Sequence, residues 1–107
     1  MLATVVIQQG GTVVLDCGRK SVVIEFGPPS PVKYPFYEAR YLAEEHAIFD
    51  VDERCGLSLG DTAELVPGYA PSTVNLYDAY HVVGKGRVVD IRPIVPRGPG
   101  HLGLGRT

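Results

Sequence analysis

Glycine and proline recur along the whole chain, and they limit the length of every regular element. The 107 residues include 13 glycines and 9 prolines, roughly a fifth of the chain against about 12% in average usage. Proline breaks helices and the ladders of central strands, and glycine weakens both. The composition therefore favours short strands joined by turns over long helices, and with 45% hydrophobic residues it predicts a folded core.

Length and charge exclude several classes of protein. A chain of 107 residues is too short for a (β/α)₈ barrel, which needs about 250, so we expect a single domain over residues 1–98. The net charge of −2 argues against nucleic acid or a membrane surface as a partner. The chain also has no apolar stretch of about 18 residues and no basic leader before its first apolar run.

Two cysteines, Cys17 and Cys55, are too few for a disulfide scaffold and do not form a C-x-x-C pair. Free core thiols in a reducing cytosol fit this pattern best, and a lone disulfide is the alternative. We therefore expect a cytoplasmic protein.

Short β-prone runs predict an all-β fold. The expected strands are Leu2–Gln8, Thr12–Asp16, Lys20–Phe26, Tyr41–Asp50, Asp61–Val66, Tyr80–Val83 and Arg87–Val95. Helix-forming residues over 36–46 leave a helix open as an alternative there. The proline-rich segment 27–35 predicts an extended loop, and Gln9-Gly10-Gly11 and Gly84-Lys85-Gly86 predict hairpin turns.

The predicted architecture is a small barrel or sandwich of six to eight short strands with one short helical turn. Ser72 or Thr73 would cap that turn, which is expected over residues 73–78. The segment 99–107, rich in glycine, is expected to be a flexible tail.

Charge is divided unevenly along the chain. Residues 38–64 hold eight acidic and two basic residues, whereas residues 85–107 hold five basic residues and one acidic residue. Two solvated faces of opposite sign would account for this division, and a docking surface for a partner is the other interpretation.

The standard catalytic fingerprints, such as a Walker loop, HExxH or GxSxG, are absent from the sequence. Of the three histidines, only His46 has neighbouring carboxylates, Glu44 and Glu45, that could tune it. Lys20 follows a glycine turn, where a lysine usually lies in solvent but can also bind an anion.

A series of short motifs resembles the C-terminal β domain of the D-threonine aldolase and D-serine dehydratase family. In chain order these motifs are Ala3-Thr4-Val5-Val6, Val14-Leu15-Asp16-Cys17-Gly18-Arg19-Lys20, Glu44-Glu45-His46, Gly60-Asp61, Thr73-Val74-Asn75-Leu76, Gly86-Arg87-Val88-Val89-Asp90 and Arg97-Gly98. The resemblance covers residues 2–98 and rests on the order of the motifs, since each is weak alone.

The resemblance implies a fold-type III pyridoxal phosphate (PLP) enzyme. In that family an N-terminal barrel holds the cofactor on a lysine, and the β domain closes the active site, typically that of the partner subunit. The β domain also supplies ligands for a divalent metal in a Pro-x-His-x-(Cys or Asp) stretch before the Thr-Val-Asn-Leu motif. The metal would act on the substrate hydroxyl as a Lewis acid.

This sequence departs from the family at the metal site and in its length. It has Tyr69 in place of the histidine and Pro71 in place of the cysteine or aspartate, so no metal is expected here. No residues match the barrel, and none of the lysines, Lys20, Lys33 and Lys85, lies in a context typical of a Schiff-base lysine. The chain is therefore expected to bind no cofactor alone, with PLP on a partner barrel.

By the resemblance, five residues are candidates for a surface that faces the barrel: Asp16, Lys20, His46, Tyr69 and Thr73. Each also has a structural interpretation: Asp16 bonds a turn, Thr73 caps a helical turn, and Tyr69 packs in the core. The first functional hypothesis is a stand-alone β domain that docks on a separate PLP barrel and completes a lyase acting on D-hydroxy amino acids. The alternatives are a non-catalytic module that forms a homodimer, and a fragment of a longer enzyme.

Overall fold

In the part of the chain that the structure describes, eight β-strands and one short helix form the regular structure. The computed structural model describes residues 1–33, 38–52 and 55–98. The elements are β1 (Leu2–Gln9), β2 (Thr12–Leu15), β3 (Ser30–Pro31), β4 (Glu38–Leu42), β5 (Ala47–Asp50), β6 (Thr62–Val66), α1 (Ala70–Val74), β7 (Ala79–Gly84) and β8 (Arg87–Pro93). This confirms the predicted all-β class with one short helix.

Six of the strands form one barrel-like antiparallel sheet in the order β3-β6-β1-β2-β5-β4. Alternate residues on its strands point to one side and form the core, as expected for strands with one buried face. The buried residues that these strands contribute are Ala3, Val5, Val13, Leu15, Leu42, Ala47, Phe49, Ala63 and Leu65. Each of the five longer strands of this sheet supplies one or two residues to the core.

The prediction of a strand over Lys20–Phe26 is wrong. The described backbone there forms turns and bends, although Val22 is buried in the core. Its amides bond to loops instead of a neighbouring strand: Lys20 N donates to the carbonyl of Glu44 at 3.0 Å. A β-prone sequence therefore lacks strand structure here because the partners that tertiary packing supplies at its start lie in the turn after β4.

The predicted single strand over Tyr41–Asp50 is also wrong, because two strands and a turn occupy the region. Strands β4 and β5 pair antiparallel, with Leu42 opposite Ala47, and Ala43 N donates to the carbonyl of His46 at 2.9 Å to close the turn. The helix alternative does not occur in residues 38–46.

The proline-rich segment contains one element that the loop prediction missed. Ser30 and Pro31 pair with Val66 and Leu65 at the edge of the sheet, a position that proline tolerates because an edge strand leaves amides unpaired. Residues 34 and 35 lie outside the described ranges.

The helix begins three residues earlier than predicted, at Ala70. Thr73 is therefore inside it, and its hydroxyl donates to the carbonyl of Tyr69 at 2.7 Å instead of capping a following turn. Such a bond to the carbonyl four residues back is a common use of a threonine within a helix.

The chain divides into two compact units, Met1–Thr73 and Val74–Thr107. The first contains the six-stranded sheet, and the described part of the second is built on the hairpin of β7 and β8. Lys85 and Gly86 at the hairpin turn have φ angles of 52° and 77°, typical of a type I′ turn, which confirms that prediction. A single domain over 1–98 stays a prediction, and the expected tail 99–107 lies outside the described residues.

Both cysteines are buried and free, as expected. Within the described ranges, no helix has the length and apolar character that crossing a membrane requires.

Candidate functional site

The segment 16–27, between β2 and β3, connects the candidate residues of the first unit. Asp16 stands at its start and continues the pairing of β1 with β2. The amide of Thr4 donates to Asp16 Oδ1 at 2.7 Å, and the amide of Asp16 donates to the carbonyl of Thr4 at 3.0 Å. The Asp16 carboxylate is exposed but already accepts a backbone bond, so its role in the structure is to hold the end of the strand pair.

The first half of this segment packs against the turn between β4 and β5. Arg19 N donates to the carbonyl of Ala43 at 2.9 Å, in register with the bond from Lys20 to Glu44. A Cβ on Gly18 would lie 2.4 Å from that same Ala43 carbonyl oxygen. Only glycine allows the two backbones to approach this closely.

Lys20 and the turn that ends at His46 are brought together by this contact. Lys20 Nζ lies 3.1 Å from Glu45 Oε1, and the two side chains are 64% and 67% exposed. His46 is also exposed, and its carbonyl accepts the bond that closes the turn. An ammonium, a carboxylate and an imidazole therefore lie on one solvent-facing pair of turns.

The second half of the segment packs against the start of α1. The Phe26 and Tyr69 rings are tilted by 54° with centroids 4.7 Å apart, a favourable geometry for aromatic pairs. Thr73 Oγ1 is buried and accepts a 3.4 Å bond from Val23 N. A Cβ on Gly68 would lie 2.4 Å from the carbonyl oxygen of Gly27, so a second glycine permits a second close approach.

The structure thus sorts the five candidates into three places. Asp16 is on the strand pair, Lys20 and His46 are at the first turn contact, and Tyr69 and Thr73 are at the second. The sequence analysis missed Phe26, and it associated Glu45 with His46 and not with its partner Lys20. No local signal identifies these contacts, because Phe26 and Tyr69 lie 43 positions apart and Lys20 and Glu45 lie 25 positions apart.

The two residues that the resemblance puts at the family's metal positions do not fit a metal ion. Pro71 has no side-chain donor atom, and the Tyr69 ring is engaged with Phe26; a neutral phenol is also a poor ligand for a divalent ion. Across the described ranges, no three side chains of the His, Cys, Asp or Glu type gather into a potential site.

Cys17, next to Asp16, is a buried thiol. Burial, and then the nearby Asp16 carboxylate, raise the pKa of Cys17 above its ordinary value, because both disfavour the charged thiolate. The thiol is therefore expected to be a poor nucleophile at neutral pH and to act as a core residue.

Comparison with known proteins agrees with the motifs. The family model described as "Putative serine dehydratase domain" matches residues 1–83. The chain is 37% identical over 87 residues to a D-threonine aldolase from Arthrobacter, which covers 80% of the chain and 23% of that protein. It is 32% identical over 91 residues to 3-hydroxy-D-aspartate aldolase from Paracoccus denitrificans, covering 82% of the chain and 22% of that enzyme.

Solved structures show the same fold. D-threonine aldolase from Filomicrobium marinum superposes with a TM-score of 0.78 at 29% identity, covering 86% of this chain and 26% of that one. A variant of D-threo-3-hydroxyaspartate dehydratase in a metal-free form superposes with a TM-score of 0.69 at 19% identity, covering 86% and 30%. The chain spans less than a third of the length of these relatives, and the match over residues 1–83 shows that it belongs to the serine dehydratase domain family.

Proposed function

We propose that this chain is the β domain of a lyase acting on D-hydroxy amino acids and that it docks on a separate PLP barrel to complete the active site. The main support for this proposal is the unequal coverage of the alignment with D-threonine aldolase, which spans 80% of this chain but only 23% of that enzyme. The remainder of such a relative is where the resemblance puts the PLP barrel. No residue of this chain matches the Schiff-base lysine, so PLP would be held by the partner.

The surface proposed to face the barrel is the segment 16–27 with the turn and the helix that it contacts. Lys20 and Tyr69 would present polar groups toward the substrate, the first as a cation suited to a carboxylate. His46 would contribute an exposed imidazole at the same pair of turns as Lys20. Asp16 and Thr73 are positioning residues in this proposal, because their side chains bond to backbone groups.

The proposed lyase would work without a metal on this chain. Tyr69 and Pro71 replace the family's ligands, so substrate activation would rest on the barrel and on polar side chains of this domain. Such a complex is expected to keep its activity after dialysis against EDTA.

A non-catalytic module that forms a homodimer is the second candidate, and the replaced metal ligands favour it. A third possibility is that the chain is a fragment of a longer enzyme. Intact-mass measurement of the protein from native cells tests that possibility directly, because a longer product would have a mass well above 11.5 kDa.

The test of the proposed function is purification of the tagged chain from its native cells, with spectroscopy and an activity assay on what co-purifies. We expect a stoichiometric polypeptide of roughly barrel size (about 250 residues) with the absorbance of bound PLP. The complex should cleave D-threonine or dehydrate D-threo-3-hydroxyaspartate, and removal of this chain should abolish the activity. Recovery of a colourless chain without such a partner would contradict the proposal and leave the non-catalytic module.

A further inference from the structure

Tyr69 is held in place through its ring, its carbonyl and the glycine before it. The Tyr69 ring packs on Phe26 with centroids 4.7 Å apart, and the Tyr69 carbonyl accepts from Thr73 Oγ1 at 2.7 Å. Gly68 lies so close to Gly27 that a Cβ on it would be 2.4 Å from the Gly27 carbonyl oxygen. The position of the Tyr69 ring is therefore set both by the backbone and by a neighbouring side chain.

The hydroxyl of Tyr69 takes no part in these contacts. Within the described ranges, Tyr69 forms hydrogen bonds through its backbone carbonyl, and its phenol has no protein partner. The buried hydroxyl of Thr73, in contrast, both donates and accepts. Tyr69 is half-buried, so the fold uses its ring and leaves its hydroxyl available to a ligand.

Among the described residues, the elements that contact Tyr69 contain one other ionisable side chain. Helix α1 has none, and the turn 24–27 has Glu25, which is exposed. An ionised carboxylate can only accept a proton, whereas a phenol at neutral pH carries its proton and can donate it. Tyr69 is therefore the group at this contact that can supply a proton.

Aldolases and a dehydratase are both among the relatives of this chain, and the two reactions need opposite proton transfers at the 3-hydroxyl. Aldol cleavage breaks the C2–C3 bond, and the hydroxyl must lose its proton to become a carbonyl. Dehydration breaks the C3–O bond, and the departing oxygen must gain a proton because hydroxide is a poor leaving group. A phenol that carries its proton assists the second reaction and not the first.

We propose that Tyr69 donates a proton to the departing 3-hydroxyl group of the substrate, so that the chain completes a dehydratase and not an aldolase. This inference rests on the proposed function and specifies the reaction at that site. The barrel removes the C2 proton, and the electron pair of that bond forms the C2=C3 double bond. The C3–O bond breaks with its electron pair on oxygen, which takes the Tyr69 proton and leaves as water. The phenolate then regains a proton from solvent.

The experiment uses the co-purified complex in the presence of EDTA and compares two substrates that differ in the leaving group. One is the D-3-hydroxy amino acid that the complex consumes fastest, and the other is its analogue with chlorine in place of the 3-hydroxyl. Chloride leaves without a proton. Tyr69→Phe should therefore lower kcat on the hydroxy substrate by about 100-fold or more and leave kcat on the chloro analogue little changed.

Product analysis and matched variants complete the test. From D-threonine the unaltered complex should release 2-oxobutanoate and ammonia in place of acetaldehyde and glycine. Tyr69→Phe keeps the ring that packs on Phe26, so its urea midpoint should match that of the unaltered chain. Tyr41→Phe, at a tyrosine of β4 that is 59% exposed, and Glu25→Gln should leave kcat on both substrates unchanged.

The outcomes separate this inference from the proposed function. An active complex in which Tyr69→Phe loses activity equally on both substrates, or on neither, would overturn the assignment of Tyr69 alone. Acetaldehyde and glycine as the main products from D-threonine would do the same. Recovery of the chain without an active PLP partner would contradict the proposed function and this inference with it.

Discussion

The two units of this protein contain similar apolar residues but use them differently. In the first unit, Val5, Val13 and Phe49 are each 1% exposed, because six paired strands surround one core. In the second, every residue of β8 is exposed, although that strand contains Val88, Val89 and Ile91. An apolar strand is therefore buried only where a further layer covers it, and the hairpin has no such layer among the described strands of its own unit.

The largest expected effect comes from truncating one apolar side chain in each unit, which tests the difference in burial between the two units. Phe49→Ala should lower the free energy of unfolding by about 3–5 kcal/mol, since it removes a fully buried ring and leaves a cavity. Ile91→Ala, at a residue that is 61% exposed, should cost less than about 0.5 kcal/mol. Urea denaturation monitored by circular dichroism at low protein concentration measures both, and equal costs would break the contrast.

The next effect concerns the close contact between two turns of the first unit. Gly18→Ala would place its Cβ 2.4 Å from the carbonyl oxygen of Ala43, so the turns must separate, at a cost of about 1–3 kcal/mol. Gly11→Ala is the matched control, because its Cβ would meet the nearest atom, the Val51 carbonyl oxygen, at an ordinary 3.5 Å. A Gly18 variant as stable as the control in urea denaturation would show that the turns can move apart freely.

A smaller loss is expected at the buried threonine that joins α1 to the segment 16–27. Thr73→Val removes the hydroxyl that accepts from Val23 N and donates to the Tyr69 carbonyl. Because both groups lose a partner, we expect destabilisation of about 1–2 kcal/mol. Thermal unfolding measures it, with Ser72→Ala on the same helix as the control, and hydrogen exchange should show faster exchange at the Val23 amide in the Thr73 variant alone.

A pH effect of comparable or smaller size follows from the buried thiol. The pKa of Cys17 is raised in the folded state, so the folded chain holds this proton more tightly than the unfolded chain does. The contribution of the protonated thiol to the free energy of unfolding is thus fully present below pH 9.0, the ordinary pKa of cysteine. It declines as the pH rises through the folded pKa, by at most about 1.4 kcal/mol per pH unit.

Urea denaturation of the unaltered chain and of Cys17→Ala from pH 7 to 10 checks this linkage. The difference in stability between the two proteins should shrink as the pH rises. Native Cys17 should also react with a thiol reagent at neutral pH only as fast as the protein unfolds, and rapid labelling of the folded chain would contradict the burial argument.

The smallest expected effect is at the exposed ion pair of the candidate site. Lys20→Gln removes the contact with Glu45, but both side chains are about two-thirds exposed, so the change in the free energy of unfolding should stay below about 1 kcal/mol. Thermal denaturation at low and high salt measures it. The same variant should weaken substrate binding in the proposed lyase complex, which separates a role in stability from a role in the site.

The candidate site was predictable only in its residues, and not in its contacts. The motif around Asp16 and Lys20 and the stretch around Tyr69 could be found by resemblance, whereas Phe26 and the contact between Lys20 and Glu45 could not. Contacts such as that of Phe26 with Tyr69 join residues 43 positions apart, and no local pattern carries that information. Gly18 and Gly68 come closest to a sequence signal for these contacts, because each permits a close backbone approach. A glycine does not, however, identify which segment approaches it.

The sequence by itself determined the all-β class, the first strand pair, the β7–β8 hairpin and the free thiols. These features depend on local properties: residues with positive φ at turns, short β-prone runs, and too few cysteines for a scaffold. Tertiary structure decided that 20–26 is not a strand, that 41–50 contains a turn, and that α1 begins at Ala70. In each case the outcome depends on which distant backbone or side-chain group satisfies a local amide or carbonyl, and that partner is chosen only when the chain packs.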